Sequence, residues 1–380
     1  MPEPFVPPVY PYERLTEARA KAEGHDGGAV DLSIGTPCDP PPAVAMAALA
    51  SADDATAAAP LGSARGYPAS VGSPALREAA AGWLRRRFAV EVSPDGLAAC
   101  VGTKEFVGTL PQWLRLRRPD RDTVLYPAVA YPTYEMGAIL AGCRAVPVKV
   151  DAEFHVDLTS VTEEDASRAL ALWVNSPGNP AGQLDDLEAA ARWGRARGIP
   201  VFSDECYAEF TWRGRPRTIL EHGVDGVVAV HSLSKRSNLA GARAGFYAGD
   251  RDLVSYLAEV RKHVGLMIAG PVQAAAAAAY DDDAHVAEQR ERYERRFALG
   301  RAILEAGGCQ VELPAGGFYL WARTPDDDAW GFTERLAADG GALVSPGDIY
   351  GAAGAGWVRL AVVQPEDRLR LVLRRLGHDG

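Results

Sequence analysis

The chemistry in this sequence gathers around one lysine. The stretch His231-Ser232-Leu233-Ser234-Lys235-Arg236-Ser237-Asn238-Leu239-Ala240-Gly241-Ala242-Arg243-Ala244-Gly245 follows the apolar run Val227-Val228-Ala229-Val230, which reads as a buried strand bounded by polar residues. Lysine is scarce: Lys21, Lys104, Lys149, Lys235 and Lys262 are the only ones among 40 basic residues. A lysine between serines and past a strand's carboxyl end sits where open α/β sheets collect ligands. Two hydroxyls and Arg243 could hold a phosphate, while Gly241 and Gly245 let backbone come close. A lysine amine in a partly desolvated site loses proton affinity and can form a Schiff base with an aldehyde. Pyridoxal phosphate, which carries an aldehyde and a phosphate, satisfies both halves. Taken alone, the stretch also reads as a solvated loop with Arg243 a surface charge.

The elements that must position such chemistry recur along the chain. The strand Val30 to Ile34 runs into Gly35, and Leu97 to Val101 runs into Gly102-Thr103-Lys104, a glycine turn opening a helix whose free N–H groups favour a phosphate. Lys104 is either a phosphate ligand or a helix-surface charge. Beyond Thr123-Val124-Leu125-Tyr126 comes Tyr131, which could stack on a flat ring or pack in the core, and Tyr134, read as core. The strand Ala171 to Val174 stops at Asn175-Ser176-Pro177-Gly178-Asn179-Pro180, a rigid turn. Ile199 to Ser203 ends in Asp204-Glu205-Cys206-Tyr207. A carboxylate there could cap a helix or, ionised, keep a pyridine nitrogen protonated and so make the ring an electron sink. Ser73 and Pro74 mark a helix start, and Leu187 to Arg197, the six alanines before Tyr280 and the span Ala287 to Glu305 read as helices. Strand, turn and helix repeating from about residue 95 to 250 predict an α/β fold with a mostly parallel sheet. No dinucleotide or Walker fingerprint is present.

These motifs together resemble the fold-type I pyridoxal-phosphate aminotransferases, class I/II, of the aspartate aminotransferase superfamily. In that family Ser-x-Ser-Lys is followed by a phosphate-binding Arg, matching Ser232, Ser234, Lys235 and Arg243. Asn175 to Gly182 resembles the family's N-x-P-x-N-P-T-G, with Ala181 in place of Thr, and Asp204 and Tyr207 match D-x-x-Y. The resemblance implies that Asp204 pairs with the ring nitrogen and that Asn179 and Tyr207 donate to the ring oxygen. It further implies that Tyr131 stacks on the ring and that Gly102, Thr103 and Lys104 hold the phosphate through backbone contacts. Tyr67, in a Y-x-x-x-x-G-x-x-x-L-R-E match, would reach the cofactor of a second copy, which implies a homodimer. Gly35 and Arg359 would bind the substrate carboxylate, the latter through two parallel bonds. Freed Lys235 would move a proton between Cα and the cofactor's C4′, with ping-pong exchange between an amino acid and a 2-oxo acid.

The composition agrees. With 380 residues and 47% hydrophobic content, the chain can bury a large core and divide in two. The expected division is a large α/β domain at 46–270 and a smaller α+β domain from 1–45 and 271–380. A net charge of −10 without basic clusters argues against nucleic acid, and no apolar run is long enough for a bilayer. The N-terminus lacks a signal-peptide pattern, so a cytoplasmic protein is expected. Five scattered cysteines suggest free thiols, and the seven histidines show no metal spacing. The motif wording is most similar to N-succinyldiaminopimelate aminotransferases, which serve lysine biosynthesis, with Arg65 and Lys262 as candidates for distal carboxylates. A C–S lyase, an aminotransferase of aromatic or aliphatic amino acids, and a ligand-sensing regulator remain as alternatives.

Overall fold

The computed structural model describes residues 5–51 and 66–378. The chain forms two compact units, one from 1–35, 294–313 and 319–380 and a larger one from 36–293 and 314–318.

The larger unit is built on a seven-stranded sheet with the order Leu97–Cys100, Gly245–Gly249, Val227–Ser232, Val201–Asp204, Ala169–Asn175, Thr123–Pro127, Arg144–Val148. All neighbours pair in parallel except Gly245–Gly249, which runs antiparallel to both of its partners. The central strands are near-continuous apolar runs because both faces are covered. Alternate residues feed two separate cores: Leu172, Val174, Val227, Ala229 and Phe246 pack on one face, and Trp173, Val228, Val230 and Tyr247 on the other. From Thr123–Pro127 the chain goes outward to Arg144–Val148 and then returns to the opposite side at Ala169–Asn175. Such a reversal opens a crevice at the strands' carboxyl ends, flanked here by the turns that carry Tyr131 and Asn179.

Helices Pro74–Phe88, Thr103–Arg117, Leu187–Arg197, Arg251–His263 and Gly270–Asp281 belong to this unit. Ser73 caps the first by accepting the Leu76 N–H at 3.2 Å. The alanine-rich helix Gly270–Asp281 packs against Ala43–Ser51 and Pro74–Phe88, since small side chains allow helices to approach closely. That packing moves the unit boundaries outward from the expected 46 and 270. The segment Pro314–Phe318 also joins this unit, through Gly316 N–H to Gly182 O at 2.9 Å and Gly317 N–H to Phe210 O at 2.8 Å.

The smaller unit has an antiparallel sheet, Ser345–Pro346, Trp357–Ala361 and Tyr319–Arg323, and a parallel pair, Val30–Asp31 with Ala342–Leu343. The strand expected over Val30 to Ile34 is shorter because Asp31 Oδ1 turns back to accept the Ser33 N–H at 2.9 Å and its hydroxyl at 2.5 Å, a local bond that competes with the ladder.

Trp83 anchors the first core at 2% exposure, with its ring edge-on to Phe88, Phe246 and His231. Trp83→Ala should destabilise the protein by about 3–5 kcal/mol, read as a fall in the urea midpoint with unchanged slope; a midpoint equal to wild type would contradict this packing.

Candidate active site

Asp204 ends its strand between two neighbours, with Asn175 as its partner on one side and Val230 on the other. Its side chain is buried. Burial raises its proton affinity, opposed by hydrogen bonds from Cys206 and Tyr134 and by the charge of Lys235. The Tyr134 hydroxyl donates to Oδ2 at 2.8 Å and the Cys206 N–H to Oδ1 at 3.2 Å. Tyr134, expected as core, is indeed fully buried, stacked at 5.1 Å on Trp173, and its polar end serves the carboxylate as well. Tyr131 meets it edge-on at 5.9 Å.

Asn175 fastens the neighbouring turn. Its amide donates to the carbonyls of Asp204 at 2.8 Å and Pro177 at 3.2 Å, and its oxygen accepts the Asn179 N–H at 2.8 Å. The motif had placed Asn179 in the site and left Asn175 without a role; the structure shows it tying the Asn179 turn to the strand of Asp204.

Lys235 rides on the one-turn helix Leu233–Arg236, capped by Ser232, whose Oγ accepts the Ser234 N–H at 3.1 Å. Its Nζ lies 5.9 Å from the centre of the Phe318 ring, on which Tyr207 also packs edge-on at 5.3 Å. Sequence reasoning missed Phe318, whose segment comes from far along the chain. It also gave no part to Arg236, which is 2% exposed. Arg236 donates to Glu209 Oε1 at 3.0 Å, to the carbonyls of Ala279 and Asp282, and to Asp283 Oδ1 at 3.0 Å. Glu209 in turn accepts from Trp83 Nε1 at 2.7 Å and pairs with Arg87 at 2.6 Å. The residue after Lys235 is thereby clamped in a buried network of charge-assisted bonds.

The turn that opens helix Thr103–Arg117 is equally defined. Gly102, at φ 76°, precedes helix Thr103–Arg117 with no side-chain cap, so the helix N-terminus presents its amides. The Arg243 guanidinium lies so close that a Cβ on Gly102 would fall 2.1 Å from its Nη2. At that φ an L side chain is strained, and its Cβ would also push the guanidinium aside. Thr103 sits on the same turn, where its hydroxyl accepts from the Cys206 thiol at 3.3 Å. A positive helix end, a guanidinium and hydroxyls on Thr103, Ser232 and Ser234 form a donor set that fits a phosphate, and Lys235 and Asp204 fit the aldehyde and ring nitrogen of pyridoxal phosphate.

The expected residues also include Tyr67, Lys104, Lys262, Arg65, Gly35 and Arg359. Tyr67 is 100% exposed. Lys104 is on the exposed surface of its helix, and Lys262 is exposed and 3.8 Å from Glu259. Arg65 lies outside the described residues. Gly35 and Arg359 both border Tyr319 in the smaller unit. Arg359 is buried between the rings of Tyr319 and Tyr350, 4.1 and 4.7 Å from their centres, and donates to Ser33 O at 2.5 Å and Tyr12 Oη at 3.4 Å. Tyr319 also occupies the space a Cβ on Gly35 would need. Asp151, Glu153 and His155 are the one grouping of metal-ligand types among the described residues, on a surface turn.

The family model for aminotransferase class I and II matches residues 28–376. The chain belongs to the class I and II aminotransferases. It is 42% identical over 377 residues to the 4-dedimethylamino-4-oxo-anhydrotetracycline transaminase OxyQ of Streptomyces rimosus, covering 97% of this chain and 99% of that one. It is 34% identical to an LL-diaminopimelate aminotransferase of Desulforudis audaxviator, covering 97% and 95%. An aminotransferase crystal structure from Neisseria meningitidis superposes with a TM-score of 0.87 at 30% identity, covering 97% and 96%. Enzymes of this family depend on pyridoxal phosphate, and that is the cofactor of this aminotransferase.

Gly102→Ala should displace the Arg243 guanidinium and weaken cofactor affinity by about tenfold or more, the worth of a charge-assisted hydrogen bond. Titration of the apoenzyme with pyridoxal phosphate, followed by absorbance, reads this directly; unchanged affinity would remove Arg243 from the cradle.

Proposed function

We propose that this aminotransferase exchanges an amino group between N-succinyl-LL-2,6-diaminopimelate and the 2-oxoglutarate/glutamate pair, a step of lysine biosynthesis, working as a cytoplasmic homodimer. The observation that carries this reading is the full-length similarity to LL-diaminopimelate aminotransferases, whose named substrate shares the same carbon skeleton.

When bound, pyridoxal phosphate supplies an aldehyde for the amino group and a ring that takes up the electron pair released at the substrate's Cα. The protein's part falls to named side chains. Lys235 would anchor the aldehyde and, once released, its Nζ would take the proton from Cα and return it to the aldehyde-derived carbon on the far side of the amino nitrogen. The ring of Phe318 stands beside that amine. Asp204 holds the proton on the ring nitrogen: a cation there offsets the burial that raises its proton affinity. Asn179 and Tyr207 donate to the ring oxygen and Tyr131 stacks on the ring. Thr103, Ser232, Ser234, Arg243 and the backbone of Gly102, Thr103 and Lys104 hold the phosphate, and Tyr67 reaches the phosphate of a second copy. Arg359 takes the substrate carboxylate as two oxygens on one planar fork, beside Gly35.

A second reading comes from the 42% identity to OxyQ: amination of a ketone on a fused-ring substrate. Single-turnover absorbance with N-succinyl-LL-2,6-diaminopimelate, LL-diaminopimelate and glutamate separates the two. Rapid bleaching of the cofactor band by the first is expected; bleaching by glutamate alone, followed by turnover of a fused-ring ketone, would replace the diaminopimelate reading. Lys235→Ala should lower turnover by several orders of magnitude while leaving a folded protein, and wild-type-like rates in it would overturn the catalytic assignment.

A further inference from the structure

Directly behind Asp204 lies a titratable pair that the assigned chemistry leaves unused. Glu205 follows Asp204, and His231 sits near the end of the adjacent parallel strand Val227–Ser232, four residues before Lys235. Both side chains are buried, at 0% and 2% exposure, with Glu205 Oε2 3.3 Å from His231 Nε2. Glu205 Oε1 accepts the Ile219 N–H at 2.8 Å, and the hydroxyls of Ser203 and Thr218 face the same carboxyl. Around the imidazole stand the rings of Trp83, Phe88 and Phe246, at 4.9, 5.9 and 5.0 Å.

None of these neighbours is a cation. The charged groups nearby are Asp204 on the same turn, whose negative charge opposes a second one on Glu205, and Glu209, already paired with Arg236 and Arg87. Two bare lone pairs 3.3 Å apart would repel. An ion pair would desolvate two charges inside an apolar box, a cost their mutual attraction need not repay. One proton on the carboxyl, donated to the imidazole nitrogen, satisfies both groups with no net charge.

We propose that Glu205 and His231 share a single proton as a neutral, hydrogen-bonded positioning pair that ties together the strand ends carrying Asp204 and Lys235 and keeps a second carboxylate charge away from Asp204. The proposal rests on Asp204 facing the cofactor's ring nitrogen. Burial pushes Glu205 up to about 8 and His231 down to about 3, so the pair stays neutral at physiological pH. Because the folded value for Glu205 lies above its ordinary 4.5, its contribution to stability is complete below that value and fades as pH rises towards about 8. Beyond that point an anion appears beside Asp204, raises its proton affinity and loosens the tie between strands.

Two measurements test this. Infrared difference spectra of apoenzyme and holoenzyme, taken either side of the Glu205 titration, should lose a protonated-carboxyl carbonyl band on going alkaline; Glu205→Gln should lack that band. His231→Asn should shift it, and serves if Glu205→Gln does not fold. Over the same interval, wild-type affinity for pyridoxal phosphate should weaken about tenfold more than that of Glu205→Gln, the effect of about one pKa unit. Absence of a Glu205-dependent band overturns the shared proton. Parallel affinity curves overturn the positioning role, as does a difference between wild type and Glu205→Gln that persists in an Asp204→Asn background. Failure of the Asp204 assignment itself would look different: Asp204→Asn would bind the cofactor as wild type does while the infrared band remained.

Discussion

A carboxylate buried at the end of a sheet is the constraint around which this site is organised. Asp204 has almost no water to stabilise its charge, and an isolated buried ion is too costly to persist. Everything that touches it works against that cost: the Tyr134 hydroxyl, the Cys206 amide and the charge of Lys235. In the role proposed for Asp204, a cationic ring nitrogen would complete the set. Cofactor binding and the ionisation of Asp204 would then be one linked equilibrium.

Lys235 poses the opposite problem. It has to be placed accurately, and much of the rigidity is supplied by the residue after it. Arg236 is held by Glu209, by two carbonyls and by Asp283, while Lys235 itself has an aromatic ring as a neighbour. A helix of four residues, Leu233–Arg236, has little stability of its own. Its geometry comes from Ser232 capping one end and Arg236 bolting down the other.

Much of this was legible in the sequence because it is local. Strand, turn and polar residue follow one another within a dozen positions at Gly102, Tyr131, Asn179, Asp204 and Lys235, and both the Ser73 cap and the helix Leu187–Arg197 follow from near-neighbour rules. What escaped involves residues paired across long separations. Tyr134 reads as core since nothing in its own segment announces a carboxylate 70 positions away. Arg236 looks like a surface charge until Glu209 and the segment at 279–283 fold over it. The domain edges shifted for the same reason: the alanine-rich helix Gly270–Asp281 advertises helicity but not which helices its smooth face will meet.

The two arginines expected to bind anions show how context divides the labour of one side chain. Arg243 is exposed, so its own attraction for an anion is weakened by water and salt. In the phosphate-binding role proposed for it, selectivity would come from Gly102, which admits its guanidinium beside an uncapped helix end. Arg359 is nearly dry at 1% exposure. There the faces of Tyr319 and Tyr350 offset lost hydration through their ring quadrupoles, and the Ser33 carbonyl and Tyr12 hydroxyl fix the plane of the fork. A planar group held in a fixed plane would, in the role proposed for Arg359, recognise a planar carboxylate by shape as well as charge, whereas the proposed phosphate cradle needs only converging donors. The demand for glycine at both 102 and 35 follows from this difference in use: at each position a Cβ would occupy the volume of the group that defines the subsite, the guanidinium of Arg243 in one case and the ring of Tyr319 in the other.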